Sequence, residues 1–281
     1  MSIRTRLAAV RSSGGPSLSA LAVGTTALTF VLMLLGVWTA VGGYGLTCQG
    51  RWPVCDGAVA GLFPANFGSF VEWFHRLVAM VTGFAILGTT ALAWYRGAHR
   101  TVRAAFTLAL VLTPLQIVLG ALTVDTYERV VLATHFGSAL AILTLFAVGT
   151  ALLTDRWPGT PQLAAAGVGA TALAAVLAPD VLVVHPVWLH VTYVALALAG
   201  FLALLFAAVT PSPAGMRPRV AAALGTVAVA IALVVGRVRL DATGKLVVVA
   251  GLVAGAAFGV GALWLARRGG RDTDPAGRTA A

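Results

Sequence analysis

The sequence predicts an all-α integral membrane protein: eight transmembrane helices forming two pseudo-symmetric four-helix bundles, with both termini cytoplasmic. Three observations carry that reading. Hydrophobic residues make up 59% of the chain and charged residues only 10%, where a soluble domain carries about 25% charged residues. Apolar runs of about 18–25 residues, the length that crosses a bilayer, recur along the chain; there are eight, near 18–41, 69–94, 104–124, 130–152, 162–180, 187–209, 219–237 and 245–266. The basic residues are spread unevenly between them. With an even number of spans and the N-terminus inside, thirteen Lys and Arg fall on the inner side and six on the outer, the asymmetry of the positive-inside rule. The net charge of +10 is thus an orientation signal, and nucleic acid is excluded as a partner.

Taken in order, residues 1–17 read as a cytoplasmic tail. Arg4, Arg6 and Arg11 precede a Ser/Gly/Pro break, with no cleavage site following an apolar core. Residues 18–155 form a first four-helix half, 156–267 a second, degenerate one, and 268–281 a cytoplasmic C-terminal tail. The first outer connection, Gly42 to Gly68, is the longest and holds both cysteines, Cys48 and Cys55. Outside the cell such a pair suits a disulfide closing a short loop; a redox pair and two unpaired thiols are the other readings. A metal site is disfavoured, because two sulfurs stand there with no adjacent histidine. Trp52, Phe63, Trp73 and Phe74 are placed to form an aromatic belt at the interface.

The second run opens on Glu72-Trp73-Phe74-His75-Arg76, and Glu72 is the one acidic residue in the interior of any long apolar run, Asp180 standing at the very end of its own. A carboxylate there costs several kcal/mol unless protonated, paired or wetted, so its presence points to function. At i, i+3 and i, i+4, Glu72, His75 and Arg76 share one helix face. The third run contains Pro114, which removes a backbone donor, and Gln116, which needs a partner other than lipid. The fourth carries His135 at nearly the depth of His75, on a helix running in the same direction. Two imidazoles so placed can clamp one metal-bearing plane, a haem, with Gly83 and Gly137 leaving room for the macrocycle. His99 lies in a basic inner loop and reads as a solvated residue.

The halves compare as repeats. Gly120 to His135 matches Gly236 to Gly251 in length and in its loop-then-apolar form, so Gly251 stands where a second-half histidine is expected. His190 matches His75 in place, preceded by Val187-Trp188-Leu189 with no acid, and His185 lies just outside the span.

Leu46-Thr47-Cys48, Trp52-Pro53-Val54-Cys55-Asp56-Gly57, Glu72-Trp73-Phe74-His75-Arg76-Leu77 and Gln116 through Val124, followed by His135, together resemble the haem A synthase family. The resemblance covers roughly residues 20–150; beyond them only the helix count and His190 agree. It implies an oxidoreductase of the cell membrane that converts the C8 methyl of haem O to the formyl of haem A for terminal oxidase assembly. His75 and His135 match the residues that hold the substrate haem iron, and Glu72 matches the carboxylate implicated in the oxidation. Arg76 is placed to pair with Glu72 or with a haem propionate. The family's other half commonly binds a haem b through two histidines; here His190 is a ligand for that second iron and Gly251 takes its partner's place. Expected partners are haem O and haem A, membrane lipid, haem O synthase, terminal oxidase subunits and a second copy of the chain. Two other classes fit the same residues: a b-type electron-transfer protein that uses the histidines only as ligands, and a non-catalytic haem-handling or assembly protein.

Overall fold

The computed structural model describes residues 17–60, 62–125, 128–153, 157–178, 186–238 and 241–272. The tail expected over residues 1–16, most of the C-terminal tail and His185 lie outside them. The described chain is helical apart from one hairpin. Its helices are α1 (Leu18–Val41), α2 (Phe67–Tyr95), α3 (Arg100–Asp125), α4 (Arg129–Ala151), α5 (Thr160–Val176), α6 (Val187–Val209), α7 (Met216–Val238) and α8 (Ala242–Asp272). Seven are long and apolar enough to cross a membrane. The expected eighth, α5, is apolar but has 17 described residues, about 26 Å at 1.5 Å per residue against a hydrocarbon core of about 30 Å.

Local chemistry sets where several helices begin. Ser17 accepts the Ala20 N–H at 3.1 Å to start α1, and Asn66 accepts the Ser69 N–H at 2.8 Å to start α2. Asp241 does the same for α8 through the Gly244 N–H at 2.8 Å. Each supplies an acceptor to the backbone donors that a first turn leaves unbonded. At the other end of α6, Arg219 donates to the carbonyls of Ala208 and Val209 at 2.9 and 3.2 Å, so a cation closes a helix C-terminus. Pro114 sits inside α3, which continues through it.

Helices α1–α4 pack in a ring, α1 on α2, α2 on α3, α3 on α4 and α4 back on α1; α5–α8 do the same. The seam between the sets joins α1 and α4 to α6 and α7. A repeat in strict chain order would match the α4–α6 packing with one of α8 on α2, and the described residues make no comparable contact there. Met33, Phe136, Leu143, Val194, Leu198 and Leu233 belong to the core that fills this seam. A smaller core, with Phe106 stacked on Phe146 at 4.6 Å, ties α1–α4 together away from the outer loop. Hydroxyls add specific cross-links: Thr25 meets Thr89 at 2.8 Å and Thr26 meets Thr150 at 3.0 Å, both buried. In hydrocarbon, where apolar contact alone draws helices together weakly, such bonds fix which helices pair.

The connection between α1 and α2 is more ordered than its sequence predicted. Cys48 and Cys55 are disulfide-bonded, with Cα atoms 4.7 Å apart, and both are buried. A short antiparallel hairpin follows, β1 (Ala58–Val59) on β2 (Phe63–Pro64), with Ala58 opposite Pro64. The turn holds Ala60 at φ 51° and is preceded by Gly57 at φ 65°, the region that glycine enters most easily.

Candidate functional site

The disulfide loop and the start of α2 meet at Glu72. Its side chain is buried, and both carboxylate oxygens are engaged. Oε2 accepts the Thr47 hydroxyl at 2.8 Å and the Cys48 N–H at 2.6 Å. Oε1 is ion-paired with the Arg76 guanidinium one turn along the helix. Arg76 also donates to the carbonyls of Arg51 and Gln49 at 2.9 and 2.7 Å. The expected pairing of Glu72 with Arg76 is therefore present, and Arg76 is committed to the loop. Charge-assisted bonds of this kind are the strong ones, and together they hold residues 47–51 onto α2.

Aromatic rings build the rim. Trp73 donates its indole N–H to the Pro53 carbonyl at 2.9 Å and packs edge-on to Phe63 at 5.3 Å, while Phe70 stacks on Phe74 at 5.8 Å. Trp52 lies 6.4 Å from Trp73. The residues read as an aromatic belt form one cluster with the disulfide loop.

Beneath this cap stand the two histidines. His75 and His135 lie about 12 and 9 Å below the first residues of α2 and α4, at 1.5 Å per residue. Both rings are half-buried. Nδ1 of each is sealed from solvent and has no hydrogen-bond partner, an arrangement that costs stability with nothing bound. Each ring edge faces a glycine on a neighbouring helix. A Cβ at Gly36 of α1 would lie 3.2 Å from Cε1 of His75, and one at Gly120 of α3 would lie 3.3 Å from Cε1 of His135. These two glycines make room for the imidazoles. Gly137 instead approaches Val234 of α7, and Gly83 faces open space. Two half-buried imidazoles, each cradled by a glycine, are residues that would hold a haem iron were one bound here.

The Gln116 amide anchors the helix turn that carries His135. It donates to the His135 carbonyl at 3.0 Å and accepts the Ser138 hydroxyl, so α3 and α4 are tied at the level of the imidazole. His99 is remote and exposed, accepting the Thr101 N–H at 3.3 Å. His190 begins α6 and meets Tyr193 edge-on at 5.7 Å, in the second half and apart from the first pair. Gly36, Thr47 and the Cys48 N–H had no signature in the sequence, since each acts through a partner far along the chain.

No protein-family profile matches the chain. Among curated proteins, it is 30% identical over 127 residues to a haem A synthase of Bacillus licheniformis, covering 44% of this chain and 41% of that one. It is 31% identical over 125 residues to a haem A synthase of Alkalihalophilus pseudofirmus, 42% of each chain. Over these residues the chain is similar to proteins named haem A synthase. It also matches a protohaem IX farnesyltransferase of Halobacterium salinarum at 44% identity over 94 residues, 34% of this chain and 21% of that protein. The chain thus spans less than half the length of the haem A synthases and about a fifth of that farnesyltransferase.

Proposed function

We propose that the chain oxidises the C8 methyl of haem O to a formyl group, giving haem A. The observation that carries this reading is the pair of glycine-cradled imidazoles, His75 and His135, with the buried carboxylate of Glu72 one helical turn from the first of them. Relatives named haem A synthase support the reaction class. The farnesyltransferase names support a haem-modifying context; the matched segment is too small a share of those proteins to bring their reaction with it.

In this reading His75 and His135 hold the substrate iron and fix the macrocycle's orientation. Converting the methyl to a formyl takes up a water and releases protons and electrons in equal number, the electrons passing to an external oxidant of the quinone or dioxygen class; where electrons leave ahead of protons, positive charge builds on the carbon. Glu72 lies one helical turn from His75. Because its oxygens are already occupied, its contribution is a preorganised negative charge, held by Thr47, Cys48 and Arg76, that stabilises the developing cation. Arg76 positions Glu72, and the disulfide positions the loop that donates to it. The haem supplies the electronic chemistry; the protein orients it and sets its field.

The inner-side excess of basic residues supports a cell-membrane protein with both termini in the cytoplasm and the disulfide loop outside. Haem O synthase and terminal oxidase subunits are the partners that would supply haem O and take up haem A.

Haem extracted from the detergent-purified protein, separated by chromatography and weighed, tests the proposal. Haem O with haem A, or a hydroxylated intermediate, is expected. Haem b alone, unchanged when haem O is supplied, would overturn the synthase reading in favour of electron transfer.

A further inference from the structure

The family that the chain resembles leads one to expect a second haem, in α5–α8. The residues there do not fit one. In the first half the space opposite Gly120 belongs to the His135 ring. Its counterpart Gly236 faces the Val248 side chain, whose Cγ2 would lie 3.2 Å from a Cβ at that glycine, with the Tyr193 hydroxyl at 3.9 Å. By contact, then, an aliphatic side chain stands where an axial ligand would. Gly251, the residue the sequence register assigned to that place, lies one turn deeper and is locked against α7. A Cβ on it would fall 2.9 Å from both the Ala228 carbonyl oxygen and the Ala232 Cβ. Four residues on, Gly255 meets Gly225 of α7, whose own Cβ would lie 3.1 Å from the Gly255 carbonyl oxygen. Close approach through small residues draws α7 and α8 together along their length.

The rest of the space is filled. Tyr193, Leu233, Val248 and Leu252 are all buried in one cluster, and the Tyr193 ring stands against the His190 imidazole. In the repeat register Tyr193 corresponds to Val78, so the second half carries a large ring one turn below its histidine where the first carries a small side chain. Close-packed interiors have no slack for a macrocycle without separating helices.

We propose that the chain holds a single haem, between His75 and His135, and that α5–α8 form a haem-free scaffold closed by Tyr193, Val248 and the Gly251–Ala232 contact. The location of that one haem rests on the proposed function; the closure of the second half does not.

The test is haem stoichiometry of the full-length, detergent-purified protein after saturation with haem O and haem b, with His75→Ala and His190→Ala variants alongside. One haem per chain is expected, lost in His75→Ala and unchanged in His190→Ala. Two haems, with one lost in His190→Ala, would overturn this inference and leave the proposed function standing. One haem kept in His75→Ala and lost in His190→Ala would overturn both. Gly251→Ala probes the closure itself: a lower thermal midpoint with unchanged haem content is expected. An unchanged midpoint would show that α7 and α8 are not closed there, and would overturn the packing on which the inference rests.

Discussion

Glu72 takes bonds from a hydroxyl, a backbone N–H and a guanidinium, and is the most fully bonded carboxylate among the described residues. That saturation separates two roles a sequence leaves merged, a proton acceptor and a fixed charge. Glu72→Gln keeps the shape and removes the charge, leaving Arg76 without its counter-ion; with the guanidinium partly wetted, about 3 kcal/mol of stability should be lost, the lower end for a broken buried pair. Product formation should disappear while haem stays bound, which chromatography of extracted haem and a thermal melt would read together. At the histidines the deciding residues are glycines. Gly120→Val would drive a branched side chain into the His135 ring, at an overpacking cost of about 1–3 kcal/mol. The expected outcome is loss of haem absorbance at unchanged expression in the membrane; a normal spectrum would remove the cradle from the argument. Neither glycine was legible as a neighbour of an imidazole. Glycine is common in membrane helices, and only the packing of α1 on α2 and of α3 on α4 says which ones face a ring.

The elements show how local signals become a site. The apolar runs located the helices to within a few residues because hydrocarbon thickness imposes a length that any local stretch either satisfies or does not. The outer connection was harder to read. Its two cysteines allowed several outcomes, and the structure joins them, buried against the start of α2 where both sulfurs approach the Ser69 carbonyl oxygen. The small hairpin had no alternating pattern to announce it, being two residues to a strand. Since the Cys48 N–H bonds Glu72, the disulfide and the carboxylate are one device. A Cys48→Ser/Cys55→Ser double variant should lose about 2.5 kcal/mol, the chain-entropy value for so short a loop. Slower product formation at normal haem content is also expected, because the loop no longer holds Thr47 and Cys48 on the carboxylate. An activity equal to the parent's would separate the loop from the chemistry.

For the whole molecule, the distribution of basic residues and the position of the cysteines make the same statement about orientation. A single cysteine at Val59, exposed in the outer hairpin, should react with a membrane-impermeant maleimide on intact cells. One at Pro213, in the exposed connection between α6 and α7, should react only after permeabilisation. The reverse pattern would invert the protein and place the site at the cytoplasmic face. The two halves share helix number and order of packing, yet they differ in what their interiors hold: imidazoles and glycines in one, a tyrosine and aliphatic side chains in the other. Helix pairs with hydroxyl or small-residue contacts are specified one by one, so the two halves can pack alike and still differ in the side chains they enclose.

The sequence by itself determined the helical membrane class, the positions of seven of the spans and the shared face of Glu72, His75 and Arg76. All of these follow from composition, length and helical periodicity within a short stretch of chain. Tertiary structure alone decided that Glu72 is saturated by the loop, that Gly36 and Gly120 cradle the histidines, and that Val248 and not Gly251 stands opposite Gly236. Each is a contact between residues distant in sequence, fixed by how the helices rotate and approach, and that geometry is encoded in no single segment.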